Sequence, residues 1–521
     1  MTPSLPKTNC LHSLQAFSQP RVIAMLFLGI SAGIPLLLIF SSLGLWLREA
    51  GIERATVTYF SWAALGYSFK FVWAPLVDKL PLPFFTTSLG QRRGWILFSQ
   101  LMIMLSIGLM ASLDPAQDAL TLMAFAAILL GFSSATQDIV IDAYRIESAD
   151  SNLQALLSSS YIAGYRIGMI ISGAGALLLA SYFGSNLESY SYTAWQSTYY
   201  SMAAIMLIGV ITTLVIREPN TQHDDAVLHN RSEHLQLLLL FALAITSFIA
   251  VYAMSFGISI TLKSALASAL SNKPLASFFV ECLRLGLGIL SAGLCAKLLI
   301  SKGLISYSLV SQSYIEPIND FFRRYGMSLA WLLLALIGLY RISDIVLGVI
   351  SNIFYLDLGF SKPEIASVVK TFGLIMTIVG GFMGGILVLR FGVMRILLLG
   401  AVLSALTNLL FMLLANVGYN MPMLYLVISA DNLSAGLASA AFIAFLSSLT
   451  NVSFTAVQYA IFSSLMTLLP KILGGYSGSM VESLGYEQFF MATALMGLPV
   501  ILLIIWANKY FRLSTNSNSP T

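Results

Sequence analysis

Charged residues within the long apolar stretches of this sequence are the candidates for chemistry: Lys70, Asp138, Asp142, Arg166, Arg284, Arg341, Asp344, Lys370, Asp431 and Lys471. A charge at the centre of a lipid-facing helix costs about 2.5 to 3.5 kcal/mol on insertion scales, so each is expected to face a polar cavity or an opposite charge. Lys70, Arg166, Arg284, Arg341, Lys370 and Lys471 are basic. An excess of cations inside a bundle suits an anionic ligand, because arginine holds a carboxylate through two parallel hydrogen bonds. Lys70, Tyr165, Arg166, Arg341 and Lys370 are therefore the candidate ligand-binding residues.

The segment from Ala135 to Arg145 is the densest polar patch in any apolar run. Asp138 and Asp142 are four apart, hence on one helix face, and two close carboxylates resist double ionisation, so one can exchange a proton near neutral pH. The same acids also suit a gate at one membrane face, pairing with Arg145, Lys79, Arg92 or Arg93, with Asp78 in the same turn. Both readings stand at this point. Asp344, three residues after Arg341, is placed to neutralise it in part. Asp431, beside Asn432 and with no cation nearby in sequence, is a second candidate for proton coupling. Glu281 and Arg284 read as a structural pair.

No phosphate-binding loop of the G-x-x-x-x-G-K-S/T type is present, nor H-E-x-x-H, nor a dinucleotide glycine fingerprint, so no enzyme is expected. Cys10, Cys282 and Cys295 lack a metal-ligand or disulfide spacing, and the four histidines lie in polar segments. We expect neither a metal nor a cofactor, and no nucleic-acid partner.

The elements that must position these residues follow from composition. The chain has 521 residues, 58% of them hydrophobic and 10% charged, with a mean hydropathy of +0.84. Too few polar side chains exist to cover a water-soluble globule, so lipid must solvate it. A span needs about 20 apolar residues, and the runs are continuous where barrel strands would alternate, which predicts an all-α membrane protein.

The predicted spans are about 21–47, 55–80, 94–113, 119–142, 153–182 and 195–216, then 235–260 and 276–301, then 328–356, 363–389, 394–416, 421–447, 453–480 and 486–508. That is six, two and six, about 14 in all. The corresponding segments are a leader over 1–20, an N-terminal half over 21–216, a central linker with two additional helices over 217–327, a C-terminal half over 328–510 and a tail over 511–521. The first apolar run is longer than a signal core and has no convincing cleavage site, so it reads as an uncleaved helix.

With the N-terminus inside, fifteen lysines and arginines fall in cytoplasmic segments (Lys7, Arg21, Lys79, Arg92, Arg93, Arg145, Arg217, Arg231, Lys302, Arg323, Arg324, Arg390, Arg395, Lys509, Arg512). Five fall outside (Arg48, Arg54, Lys263, Lys273, Lys362). Basic residues concentrate in cytoplasmic loops, so both termini are expected there. Buried charges in both halves argue against a non-transporting scaffold or sensor, and two six-helix halves suit alternating access better than a channel. Lys70 and Lys370 lie in the second helix of each half and read as repeat counterparts lining a cavity.

Two motifs invite comparison. Asp78, Lys79, Arg92 and Arg93 in the first half, with Gly381, Gly385, Arg390, Gly392 and Arg395 in the second, resemble the G-x-x-x-D-R-x-G-R-R loop of the major facilitator superfamily. The first copy is stretched by Pro81 and Pro83, and the second lacks its acid. More specifically, Ser31-Ala32-Gly33-Ile34-Pro35, the run from Phe69 to Asp78, Gln91 to Trp95, Gln137 to Ala143 and Gly164 to Met169 resemble the AmpG muropeptide permease family. Tyr340 to Asp344, Lys370 to Leu374 and Gln458 to Ala460 continue the likeness.

The resemblance implies a bacterial inner-membrane carrier. It would import N-acetylglucosamine linked to anhydro-N-acetylmuramic acid bearing a short peptide, driven by the proton motive force. It further implies a role in peptidoglycan recycling and, in some bacteria, in β-lactamase induction. The implied partners are an anionic glycopeptide, protons and the lipid bilayer, with the chain acting as a monomer. Some family members carry their extra helices at the C-terminus, whereas here the pair lies between the halves. A carrier of a different anionic solute on the same fold is the alternative.

Overall fold

The computed structural model describes residues 18–517 except 53–59, 61–65, 118–119, 149–152, 186–188, 220–230, 271–272, 362–363 and 475–476. Most of the leader and part of the expected second span, with Arg54 and Lys362, lie outside the described residues. So do the side chains of Glu281, Cys282 and Lys471. Every regular element among the described residues is helical. Eleven of these helices are long and apolar enough to cross a membrane, and three shorter apolar helices accompany them. The all-α membrane architecture expected from composition is what the chain adopts.

By contact the chain divides into two units, Met1–Val77 with Leu82–Gln222 and Phe321–Thr521, and Asp78–Pro81 with His223–Asp320. In the first unit, α1 (Pro20–Ile39) carries Pro35 inside it and gives way at Phe40 to α2 (Ser41–Glu49). Proline removes a backbone donor and crowds the preceding turn, so Pro35 weakens the helix at Ser31, while the break itself falls at Phe40, where ψ is −83°. The chain continues through α3 (Gln91–Ala111), α4 (Leu120–Glu147) and α5 (Gln154–Ile170). A π-turn over Ile171–Gly175 leads to α6 (Ala176–Tyr182), and α7 (Tyr192–Ile205) and α8 (Leu207–Val215) follow.

Apolar burial does not by itself join helices in lipid, so close contact must come from small residues. Gly29 and Gly33 on α1 lie against the α5 backbone at Tyr161 and Tyr165, and Gly164 and Gly168 on α5 lie against α1 at Leu26 and Ile30. A Cβ on Gly33 would collide with the Tyr165 carbonyl, and one on Gly164 with the Leu26 carbonyl. The two spacings of four interlock along the whole contact.

The second unit holds α9 (Arg231–Met254), α10 (Phe256–Leu270) and α11 (Lys273–Ser301). The first central helix thus runs on past the expected end at 260, with an interruption at Ser255. Arg284 of α11 accounts for that interruption. Its Nε donates to Ser255 Oγ at 3.1 Å, its Nη2 to the Tyr252 carbonyl at 2.7 Å, and the guanidinium lies 4.1 Å from the centre of the Tyr252 ring.

The first unit resumes in α12 (Glu316–Leu339), which kinks at Gly326, where φ is 71°. It continues with α13 (Ile342–Asp357) and a π-helical stretch over Ile365–Phe372. Next come α14 (Gly373–Phe391), α15 (Val393–Val417), α16 (Met421–Leu449), α17 (Thr455–Gly474) and α18 (Ser477–Ser517). Within this unit α5 packs on α14 and α16, while α4 packs on α17.

Candidate functional site

Three of the five basic or aromatic binding candidates sit where a helix is irregular. Lys70 begins a three-residue 3-10 turn over Lys70–Val72, Arg341 lies in the turn between α12 and α13, and Lys370 lies in the π-helical stretch. Non-helical backbone at membrane depth is tolerated where protein or a polar cavity satisfies it, and such breaks recur at binding sites. Tyr165 and Arg166 are half-buried on α5, close before its π-turn.

A first cluster gathers on α4. Asp142 Oδ2 lies 3.7 Å from Lys70 Nζ, and Asp142 Oδ1 accepts from Arg145 Nη2 at 3.2 Å. Asp138 accepts from the Tyr161 hydroxyl at 3.4 Å and feels the charges of both Lys70 and Asp142. Arg145 is fully buried. Its Nη1 donates to Ser158 Oγ at 2.8 Å and to Ser447 Oγ on α16 at 2.7 Å, and its guanidinium lies 5.1 Å from the Tyr459 ring centre on α17. Removing one partner from such a buried charge network leaves the rest uncompensated, at a cost of about 3 to 5 kcal/mol.

The expected pairing of these acids with Arg92 or Arg93 is not found. Arg92 is buried and pairs with Glu147, Nη2 to Oε1 at 2.7 Å and Nε to Oε2 at 2.9 Å. Arg93 donates its side chain to the carbonyls of Thr213 at 3.1 Å and Leu214 at 2.8 Å. The backbone N–H groups of both residues, at the start of α3, donate to the Glu218 carboxylate at 2.7 Å and 3.0 Å. A carboxylate at a helix N-terminus satisfies orphan donors and complements the dipole. Partial burial nevertheless pushes the Glu218 carboxyl above its usual range. Glu147 and Glu218 had no signal in the sequence, since they lie 55 and 126 residues from Arg92. Asp78 is buried and falls with Lys79 in the second unit, where Asp78, Glu233 and Glu316 all act on the Lys79 ammonium.

A second cluster surrounds the break before α13. Arg341 Nε lies 3.2 Å from Asp344 Oδ2, and Arg341 Nη1 donates to Ser439 Oγ at 2.7 Å. Ser404 Oγ donates to Asp344 Oδ1. Asp431, which no nearby residue in sequence balances, accepts from Thr407 Oγ1 at 3.4 Å, and the fold brings the charges of Arg341 and Asp344 to bear on it. Arg166 differs from its neighbours. No carboxylate among the described residues pairs with it, its one polar contact is Met169 Sδ at 3.8 Å, and the like charge of Arg341 acts on it from the opposite half. Lys370 is exposed whereas Lys70 is buried and paired, so the two lysines expected to be repeat counterparts differ in surroundings.

The sequence profile of the Major Facilitator Superfamily matches residues 21–342. The chain is 31% identical to the transporter AmpG 4 of Rickettsia felis over 95% of this chain and 98% of that one. It is 29% identical to the anhydromuropeptide permease of Escherichia coli K12 over 98% of this chain and 84% of that protein. Among solved structures, the proton:xylose symporter XylE aligns over 95% of this chain and 96% of its own with a TM-score of 0.55 at 11% identity. The transporter FucP in its outward conformation aligns over 94% and 99% with a TM-score of 0.57 at 11% identity, and both likenesses concern the fold. The chain is therefore a multi-pass membrane transporter of the major facilitator superfamily and belongs to its AmpG family.

Proposed function

We propose that this protein imports anhydro-muropeptides across the bacterial inner membrane by proton symport, for peptidoglycan recycling. The observation that carries the reading is that Arg166 has no carboxylate partner among the described residues and feels the like charge of Arg341, which itself pairs with Asp344. Two like charges held together inside a membrane protein favour an anion between them, and a peptide stem offers free carboxylates. The relatives named as AmpG transporters and anhydromuropeptide permease support the same solute class.

The proposed cycle uses few parts. A solute carboxylate binds Arg166 and competes with Asp344 for Arg341. A proton on Asp344 or Asp431 releases Arg341 to the solute, which couples the two fluxes. Arg145, with Ser447 and Tyr459, closes the cytoplasmic end until Asp142 or Asp138 changes partners. The working frame is two halves over 21–216 and 328–510, both termini in the cytoplasm, and a single chain as the functional unit.

Right-side-out membrane vesicles carrying the protein should accumulate radiolabelled anhydro-muropeptide, and an uncoupler should abolish the accumulation. A well-inserted protein that takes up none of it would move the assignment to another anionic solute, since an arginine pair reads charge and not sugar. Uptake that persists with the uncoupler would remove proton coupling and leave the solute assignment in place.

A further inference from the structure

A cavity of 1580 Å³ opens at the end of the first unit where α1 begins and α8 ends. It shares Ser447 with the Arg145 cluster, and its walls differ sharply in character. On one side stand Ile23, Phe27, Ile211 and Val215, large apolar side chains that are also exposed on the outer surface, Ile211 by 60% and Val215 by 77%. In a membrane protein such a surface meets acyl chains. At the mouth stand Arg21 and Arg217, both exposed, and neither has a carboxylate partner among the described residues. Arg21 Nη1 donates to the Ser148 carbonyl at 2.7 Å, and the Tyr144 hydroxyl donates to the Arg217 carbonyl at 3.1 Å, so the Arg21 side chain and the Arg217 backbone are held in place.

The two acids that also line the cavity do not balance these arginines. Glu147 is paired with Arg92, and Glu218 caps the start of α3. The site therefore offers positive charge at a membrane boundary joined to an apolar wall that continues into the lipid-facing surface. That combination fits an amphipathic anion and suits a wholly polar solute poorly.

We propose that this crevice holds an anionic phospholipid, its phosphate between Arg21 and Arg217 and an acyl chain along Ile23, Phe27, Ile211 and Val215. The far wall of the same cavity is Ala444 and Ser447 of α16. Ser447 is the residue that Arg145 holds from the other half. A lipid seated here contacts both halves and favours the arrangement in which Arg145 joins them.

The test uses the purified full-length chain in detergent, titrated with phosphatidylglycerol or phosphatidylcholine and read by native mass spectrometry and thermal unfolding. Wild type should retain phosphatidylglycerol in preference and unfold at a higher temperature with it. Each arginine removed should weaken that retention about fivefold, so R21Q/R217Q should lose the preference while R21K/R217K keeps it. K509Q, which removes an exposed charge elsewhere, should behave as wild type. Equal phosphatidylglycerol retention by R21Q/R217Q and wild type would overturn the proposal. Displacement of the lipid by millimolar glycerol phosphate or inorganic phosphate would overturn it as well, because the site would then read a soluble anion.

Discussion

Arg145 and Ser447 lie 302 residues apart in the chain, and the arginine donates to the serine hydroxyl at 2.7 Å. The bond joins α4 to α16 beside the Arg145 contact with the Tyr459 ring. Arg145→Gln should lower stability by about 3 to 5 kcal/mol, the usual result of breaking a buried charge network from one side. Ser447→Ala should cost about 1 kcal/mol, the worth of one hydrogen bond. Thermal unfolding of the two variants compares them, and equal losses would mean that the serine, and not the wider network, fastens the halves.

Arg166 is the cation whose removal should matter most to transport and least to folding, because no acid among the described residues pairs with it. Arg166→Ala should reduce uptake about tenfold to a hundredfold, as expected for losing a charged hydrogen bond to the solute, with membrane abundance unchanged. Arg341→Ala should lower both uptake and abundance, since it strands Asp344. Normal uptake by the Arg166 variant would sink its assignment to the solute.

Asp344 and Asp431 share the electrostatic field of Arg341. Asp431→Asn and Asp344→Asn should each lose uphill accumulation while keeping solute exchange across vesicles preloaded with the same solute. If only the Asp138→Asn or Asp142→Asn variant separates exchange from accumulation, the coupling group lies in the α4 cluster instead.

Gly33 and Gly164 bring two backbones into contact, and a methyl group at either meets a carbonyl oxygen that cannot move aside. Gly33→Ala and Gly164→Ala should each destabilise by about 1 to 3 kcal/mol, the common result of overpacking. Gly108→Ala, where a methyl group meets open space, should be close to neutral. Unfolding temperatures of the three variants in one detergent decide the comparison.

Glu364 stands just ahead of the apolar span that begins at Ser367. It accepts from the Tyr419 hydroxyl at 2.7 Å and from the Ser361 backbone N–H at 2.8 Å, and these bonds hold its carboxyl below the usual value of 4.5. A depressed folded value means that the clip contributes in full above pH 4.5 and is lost as pH falls through the folded value. Protection of the Ser361 amide, its hydrogen-exchange rate relative to the intrinsic rate at the same pH, should therefore fall on acidification below that range. Glu364→Gln should show the lower protection at neutral pH and no further loss of protection with acid.

Much of this was legible from residue types alone. The apolar runs predict a helical membrane protein because lipid cannot satisfy an open backbone, and the spacing of Gly164 and Gly168 predicts a close helix contact on α5. The pairing of Arg341 with Asp344 follows from their separation of three, which a helical turn converts into proximity. The helix breaks were not legible. Tyr340 and Arg341 sit inside a long apolar run, and neither turn residue is a proline or a glycine.

The sequence by itself determined which charges interrupt the apolar runs and the family that carries them, since both depend on composition and local motif. Only the tertiary structure decided their partners. Arg92 meets Glu147 and not an acid of the α4 pair, Arg145 reaches Ser447, and Arg341 reaches Ser439. The physical reason is range: a helix fixes neighbours three and four residues away, whereas pairing across helices depends on which backbones the glycines allow to approach.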